Sequence, residues 1–531
     1  MRKIVLLFFF VITCAEISAQ NYYLRSLDLD TGFNMIRNAY VNKQTKDITI
    51  VSSTYLQDTS DAYGKYVLKT HFNKLDSTNS LSLDKSFILN NSSFRSRGII
   101  KLLQGGYLSY GLYYDSKSLK NKLAGIPGCL IRYTENGDTL FIKKYPFRKD
   151  VSEISSIVQF ADSSFIFVCS LSDTNGSFTA LTGIRVVKLN KDFATTWDSV
   201  YYYSDGSDIT LPRIMGYVDA VVQTTDKGFL IGTGDYIKTA DTSQHALLFK
   251  IDSNGKFLWE RKYYGNDDYS NINRIIRLRD GNYLLMGYYF SYFHLDPKVT
   301  DFIFIIKVNE SGQVLWKKMI SLYEYQYALD VDEFPNGNIL LAGQIDLRGN
   351  THISDSKASL ICINKFGKLL WNRQYDAPSN KIYDDIIDVY LSDITIANDN
   401  SIFGIGNYAI SDSTFPYNGG YDLDLLFLHA DSLGCIMPGT CPFTEIERTP
   451  VEPNYFYAYP NPTSSTISFK SNLRSTSNIQ IKMFNAIGQI VLQKIISDFN
   501  ESIDVSDFAK GIYFVELSVE EYLGREKVVI E

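Results

Sequence analysis

The sequence predicts an all-β chain in two parts, a seven-bladed β-propeller followed by a small β-sandwich. Three observations carry this prediction. A strand–turn–strand unit with Gly and Trp at a fixed spacing recurs along most of the chain. The composition suits strands: the 531 residues include 38 Tyr and 33 Phe, and short runs of Val, Ile and Thr recur. Finally, the stretch "YAYPNP" (457–462) interrupts the pattern, because two prolines so close together fit neither a helix nor a central strand, and a second, shorter set of strands follows it. At 45% hydrophobic residues the chain has the apolar content for a large core, and its length allows more than one domain. The net charge is -7 and no long basic run occurs, so no nucleic-acid partner is expected.

The chain begins "MRKIVLLFFFVITCAEISAQ". Arg2 and Lys3 give a positive start, Ile4 to Ile12 form a short apolar run, and Ser18 and Ala19 supply small residues before Gln20. This reads as a secretory signal peptide over residues 1–20. The rival reading is a lipoprotein signal with Cys14 lipidated, which Thr13 in front of it fits poorly. No other stretch has the ~20 apolar residues of a transmembrane helix. Five cysteines remain after the signal, so at least one thiol is free. Cys129, Cys169 and Cys362 lie in apolar strand patterns and are expected to be buried. Cys435 and Cys441 flank the turn-forming "IMPGT" and are the expected disulfide pair; a metal pair is the alternative, but no nearby His or second Cys pair completes a zinc site.

The repeat is plainest in "KIDSNGKFLWERKY" (250–263), "KVNESGQVLWKKMI" (307–320) and "CINKFGKLLWNRQY" (362–375). Trp259, Trp316 and Trp371 each follow Gly255, Gly312 and Gly367 by four residues. Looser copies come earlier: "RYTENGDTLFIKKY" (132–145) has Phe141 at the Trp position, and "KLNKDFATTWDSVY" (188–201) has Trp197 there with Phe193 at the Gly position. All four tryptophans thus hold one place in the repeat. A second hairpin precedes each copy, as in "RDGNYLLMGY" (279–288) and "PNGNILLAGQ" (335–344), where Asp-Gly and Asn-Gly signal two-residue turns with both central residues at positive φ. Two linked hairpins make a four-stranded unit of roughly 55–60 residues, the size of a propeller blade. Seven copies fit between about residues 33 and 436, within a propeller domain spanning 21–439. The last copy lacks a fourth strand, while "YYLRSLDL" (22–29) is a strand without a hairpin. Residues 22–29 are therefore expected to close the ring as the outer strand of the last blade, which removes two open edges.

The Gly-x-x-x-Trp turn resembles the tryptophan-docking motif of the PQQ-type quinoprotein propellers, over the turn and nothing more. The resemblance implies that Trp fills the gap between neighbouring blades. It does not extend to the cofactor: quinone enzymes of that family use an adjacent-cysteine disulfide and a calcium site near the ring centre, and this chain has no Cys-Cys pair. No cofactor is expected.

A linker covers 440–455, polar and Pro-containing after Cys441. Strand patterns then follow in "YPNPTSSTISFK" (459–470), "IQIKMFNAIGQIVLQK" (479–494), "IDVSDFAKGIYFVEL" (503–517) and "REKVVIE" (525–531), which suits a small sandwich. These four motifs, in this order, resemble the type A C-terminal sorting domain of the type IX secretion system of Bacteroidetes, over roughly residues 456–531. The resemblance implies an immunoglobulin-like β-sandwich read by the outer-membrane translocon. It also implies cleavage by a sortase-like peptidase in the linker, followed by release or attachment at the cell surface. The sorting motif maps onto Tyr459, Pro460, Asn461 and Pro462, onto Gly488 and Gly511 at turns, and onto Lys527 in the recognised terminus.

The ring offers no catalytic motif. Asp252, Asn309, Asn364 and Asp431, like Asp226 and Asp280, recur with the repeat, which assigns them to turn capping. His71, His245, His294, His352 and His429 are scattered, with no H-E-x-x-H and no Gly-x-Ser-x-Gly. Asp422 and Asp424 sit at strand spacing and form at most a weak calcium pair, so no metal site is assigned. Gly and Trp are spaced unlike a sialidase Asp-box. Inserts at 114–127, 236–245, 289–300 and 409–421 are candidates for specificity, with Tyr288, Tyr289, Phe290, Tyr292 and Phe293 on or beside one of them. Two functions stay open. One is an exported, non-enzymatic propeller that binds an unknown protein or glycan ligand, favoured because no catalytic motif emerges. The other is a secreted polysaccharide hydrolase or lyase with its site in the funnel. Clustered carboxylates or a metal in the funnel are expected of the enzyme, and an apolar or aromatic patch without perturbed acids is expected of the binder.

Overall fold

The computed structural model describes residues 23–27, 33–57, 66–77, 80–89, 92–115, 126–146, 151–172, 181–201, 220–236, 244–263, 268–291, 302–322, 325–346, 356–376, 386–411, 421–436, 456–471, 479–486, 489–496, 501–519 and 522–531. Every regular element among them is a β-strand. The signal segment, the linker, Cys441, Gly488 and most of the blade inserts lie outside the described residues.

The first unit is a seven-bladed propeller of antiparallel sheets, with blades at 33–88, 92–145, 151–201, 220–263, 268–320, 325–375 and 386–430. The fourth and fifth blades are joined by a single parallel pairing, Gln244 with Tyr269. The seventh supplies three strands of its own, and its fourth is Tyr23–Leu27 from the start of the chain. That strand runs antiparallel to Tyr421–Ala430, from Tyr23 opposite His429 to Leu27 opposite Leu425. The N-terminal strand therefore covers the edge that the last repeat leaves open, and Leu24 packs on the core shared by the sixth and seventh blades.

Outer and inner strands are told apart by burial. The fourth strands of the first six blades are mostly half-buried to exposed, as in Leu81–Ile88 and Thr139–Tyr145, whereas second and third strands are nearly continuous buried runs such as Phe302–Val308. Apolar layers lie between adjacent blades. One holds Ile166, Val168, Val186, Phe229, Ile231 and Phe249 from the third and fourth.

The repeat turns differ from the expected two-residue form. The Asp252 N–H donates to Lys256 O (2.9 Å) and the Gly255 N–H to Asp252 O (3.1 Å), and the same pair of bonds closes both kinds of hairpin. Most are a type I turn followed by one residue at positive φ, so one position demands it; the Leu102–Gly106 turn has two, Gly105 and Gly106, and the Asn42–Asp47 turn is one residue longer. This explains why Lys46, Ser163, Phe193, Lys227 and Asn400 can replace Gly there. The Asp or Asn that opens the Trp-bearing turns caps it: Asp252 Oδ1 accepts the N–H groups of Asn254 and Lys256 (both 2.8 Å), and Asn364 Oδ1 those of Phe366 and Lys368 (both 2.9 Å).

Trp197, Trp259 and Trp371 stand between blades. Trp197 packs on the core of the following blade and its Nε1–H donates to Ser253 O (3.2 Å). A Cβ placed on Gly255 would lie 3.0 Å from the Trp197 ring; on Gly312, 2.8 Å from Trp259; on Gly434, 3.1 Å from Trp371. Each ring thus docks on the Gly of the next turn. Where blade 2 offers the smaller Phe141, the next turn carries Phe193 instead of Gly, and the two rings meet edge-on at 4.9 Å. Large-on-small becomes medium-on-medium and the gap stays filled. A tyrosine four residues after the docking ring adds a hydrogen bond. The hydroxyls of Tyr145, Tyr263 and Tyr375 donate to the carbonyls of Phe193 (3.2 Å), Gly312 (2.8 Å) and Gly434 (2.6 Å), and that of Tyr201 to Gly255. In the fifth blade Trp316 is followed at that place by Ile320.

The second unit is an immunoglobulin-like sandwich. A three-stranded sheet (Phe456–Tyr459, Thr466–Ser471, Ile503–Asp504) packs against a four-stranded one (Ile490–Ile496, Ile479–Asn485, Gly511–Val519, Tyr522–Ile530) over Ile467, Phe469, Ile481, Met483, Val515, Leu517 and Val528.

Candidate functional site

Bulges build the centre of the ring. Blade 2 begins with Ser92–Lys101, and there Ser96 and Gly98 oppose successive residues of the second strand, leaving Arg97 without an opposite number. The same insertion falls at Ser155 in blade 3, Asn273 in blade 5, Leu329 in blade 6 and Ser392 in blade 7. In blade 1, Met35 faces Ser53 and Ala39 faces Ile50, so one extra residue is taken up between Ile36 and Asn38. A bulge re-aims the side chains beside it. Repeated around the ring, it turns one or two residues per blade towards a common space.

That space is a cavity of about 270 Å³. Arg97, Ser155, Leu329 and Ser392 reach it from the bulges, and Arg37, Asn38 and Arg274 from positions at or beside them. Tyr110, Gln344, Asp388 and Tyr390 complete the wall. Since six blades contribute, the cavity lies on the ring axis. Gly98 has a local reason here: a Cβ on it would sit 2.5 Å from the Tyr110 hydroxyl, so its absence makes room for that ring.

The polar groups behind the wall tie blades together. Arg274 Nε meets Asp330 Oδ1 at 2.9 Å and donates to Leu329 O at 3.1 Å. Asp330 Oδ2 accepts the Ile394 N–H (2.8 Å). Asp393 accepts the Ala39 N–H (3.0 Å) and the Asn38 amide (3.1 Å), and Asn38 Oδ1 accepts the Ile99 N–H (3.4 Å). Arg97 then forks onto Glu153, Nη2 to Oε2 at 2.6 Å with Nε on Oε1. The bonds run from blade 5 through 6, 7, 1 and 2 to blade 3.

Electrostatics follow from this placement. Burial alone would raise the Glu153 carboxyl, but the Arg97 guanidinium against it, helped by Arg95 and Arg37, holds it below its ordinary value. Asp393 goes the other way. Burial, the neighbouring charge of Asp330 and a hydrogen bond between the two carboxyls push it well above the usual carboxylate range, against the pull of the Ala39 N–H and Arg274. Burial pushes the Tyr390 phenol up to about 12.

The axis matches neither pattern expected of it. It holds clustered carboxyls, one strongly perturbed, yet Asp330, Asp393 and Glu153 are not in the cavity wall and are engaged in bonds between blades. The wall's one carboxylate, Asp388, accepts from Gln344 and from the Ser356 hydroxyl (3.1 Å). The sequence reading missed the arginines because it followed features repeated in every blade, and these are not. The signal available was a break in the period-two alternation of each first strand, as in "FRSRGII" and "SNINRII".

The singled-out residues fall elsewhere. Cys129, Cys169 and Cys362 are buried free thiols, and Cys435 is disulfide-bonded. His429 is buried and stacks on Phe403 at 4.2 Å. Asp424 accepts the Tyr408 hydroxyl (2.8 Å), and the side chain of Asp422 lies outside the described residues. Tyr289 packs edge-on against Phe302 at 5.9 Å, while Tyr292, Phe293 and the side chain of Phe290 lie outside them too. Among the described residues, no three His, Cys, Asp or Glu side chains gather as a metal site. No described helix is long and apolar enough to cross a membrane. In the sandwich, Tyr459 is exposed and Gly511 opens a strand. Asn461 is a clamp: its amide donates to Lys527 O (2.7 Å) and its carbonyl accepts the Val529 N–H (2.9 Å). Thr463 continues the clamp along the last strand, from its N–H to Val529 O and from the Glu531 N–H to its carbonyl (both 2.9 Å).

The fold and the tail together define an exported propeller. Residues 457–531 match the family described as "Secretion system C-terminal sorting domain". The chain thus carries a type IX sorting domain, which sends it out of the cell to the medium or the outer surface and implies an interaction with the secretion machinery. No curated protein matches the chain. Among solved structures it is similar to the polysaccharide lyase Uly1, at 8% identity and TM-score 0.42 over 79% of this chain and 94% of that one. It is similar to a PL25 ulvan lyase bound to -[GlcA(1-4)Rha3S]-, at 8% and 0.45 over 77% and 96%. It is also similar to the GH93 α-L-arabinofuranosidase of Fusarium graminearum with arabinobiose, at 11% and 0.40 over 62% and 91%.

Proposed function

We propose that this chain is a surface-delivered or secreted binding protein, with the propeller as cargo and the sandwich as address. Its ligand, a glycan or a protein, sits in the axial cavity. One observation carries this reading: residues from six blades converge on a single polar cavity, while the perturbed acids beside it are engaged in holding the blades together. A rigid ring with a preformed cavity suits binding, since little ordering has to occur when a ligand arrives. In this reading residues 1–20 are removed as a signal peptide. The translocon then recognises 456–531, and a sortase-like peptidase cuts within 440–455.

The test is a glycan and peptide array probed with the mature chain, paired with product analysis on every polysaccharide it binds. Saturable binding without depolymerisation is expected. Cleavage of a defined polysaccharide at enzyme-like rates, abolished by Asp393→Asn, would replace binding with hydrolase or lyase chemistry.

A further inference from the structure

We propose that the axial cavity recognises an oxyanion, a carboxylate or a sulfate ester, carried by an acidic saccharide; this rests on the axial binding reading above. Three of the wall residues are arginines, Arg37, Arg97 and Arg274, and one, Asp388, is acidic. Arg95 adds a fourth guanidinium to the field, as its effect on Glu153 shows. Among the acids near them, Asp388 lies in the wall, Glu153 is held in the Arg97 fork, and in the Asp330–Asp393 pair Asp393 keeps its proton well above the usual range. Positive charge therefore prevails at the cavity, although the chain as a whole is acidic at -7. Field lines focus in such a concave site and raise the local concentration of anions.

The rest of the wall selects the carrier. Asn38, Ser155, Gln344 and Ser392 present hydroxyl and amide groups, Tyr110 and Tyr390 present rings with hydroxyls, and Leu329 alone is aliphatic. A hydroxyl-rich ring with one anionic substituent matches this surface better than an apolar peptide side chain does. The forks behind the wall fix at least two of the guanidinium groups: Arg97 is clamped by Glu153 and Arg274 by Asp330 and Leu329 O. Oxyanion recognition by preset guanidinium groups avoids the entropic cost of ordering long side chains.

The experiment is calorimetric titration of the mature full-length chain with three oligosaccharides of equal length: a uronate, a sulfated neutral sugar and an unsubstituted neutral sugar. An acidic peptide serves as a fourth arm. Tightest binding to the uronate or the sulfated sugar is expected, and which of the two wins identifies the oxyanion. Affinity should fall at least about tenfold between 50 and 300 mM salt, and about tenfold or more in Arg37→Gln. Tyr390→Phe, which keeps the ring, provides a second variant, expected to lose about threefold, and thermal unfolding of each variant guards against misfolding. Equal binding of the neutral sugar, unaffected by Arg37→Gln but blocked by the cavity-filling Ser155→Tyr, would overturn the oxyanion inference and leave axial binding standing. Binding indifferent to Ser155→Tyr would overturn both, and binding of no saccharide would overturn the oxyanion inference. Preference for the acidic peptide would overturn the saccharide class.

Discussion

Gly312→Ala tests whether the rings between blades hold the propeller together. Gly312 has φ +75°, and a Cβ there would meet Trp259 carbons at 2.8 and 2.9 Å and Arg261 Cγ at 3.0 Å. Gly281 is the control: its φ is +87° and nothing lies within 4 Å of its would-be Cβ. Both substitutions bear the backbone cost of Ala in the left-handed region, about 1–2 kcal/mol. Only Gly312→Ala must also displace an indole from a filled gap, which costs about 1–3 kcal/mol more. The assay is urea unfolding followed by indole emission. All four tryptophans lie in the ring, so the signal excludes the sandwich and reports one unit. Gly281→Ala should lower stability by about 1–2 kcal/mol and Gly312→Ala by about 2–5 kcal/mol. In a Trp259→Phe background the extra cost should shrink, as the natural Phe141–Phe193 pairing indicates. Equal losses for the two glycines, within about 0.5 kcal/mol, would refute docking as the reason for the Gly-to-Trp spacing.

Four further outcomes are expected. Deleting Tyr23–Leu27 exposes the edge of Tyr421–Ala430 and should lower the ring's unfolding temperature by several degrees, and an unchanged value would contradict closure by this strand. Tyr263→Phe removes the bond to Gly312 O and should cost about 1 kcal/mol, and an unchanged stability would contradict a contribution from that bond. The Asp393 carboxyl is raised in the folded state, so the native ring binds its proton more tightly than the unfolded chain. Stability from this group is present in acid and lost as pH rises from about 4 through the folded value. The margin of wild type over Asp393→Asn should therefore narrow as pH rises above about 4, and a margin independent of pH would contradict the raised carboxyl. Asn461→Ala removes both clamps on the last strand of the sandwich and should reduce delivery to the surface without altering indole-monitored ring unfolding; full delivery would separate this Asn from sorting.

How much of this was legible in the sequence depends on what repeats. Trp259, Trp316 and Trp371 fall four residues after their glycines because every gap between blades poses one packing problem, and a problem solved several times leaves a periodic trace. The Tyr at the end of "FLWERKY" and "LLWNRQY" left the same kind of trace, yet its hydrogen bond to the next turn could be seen only in three dimensions. The turn type went astray because Asp280-Gly281 is compatible with both a two-residue turn and a type I turn with one left-handed residue, and local sequence does not choose between them. The axial site was the least legible. Arg37, Arg97 and Arg274 come from blades 1, 2 and 5, roughly 60 and 177 residues apart in the chain, and a ligand site on a symmetric scaffold needs its residues to differ from blade to blade. The sorting domain was legible throughout because Asn461 and the final strand it clamps belong to one compact, recurring module.

The most direct measurement is a crystal structure of the mature chain soaked with the tightest-binding oligosaccharide from the titration. Density for one sugar unit inside the axial cavity is expected, with its anionic group against Arg37, Arg97 or Arg274 and its ring beside Tyr110 or Tyr390. Density confined to the blade inserts or the outer strands, with the cavity unchanged, would show that the ring binds its ligand elsewhere.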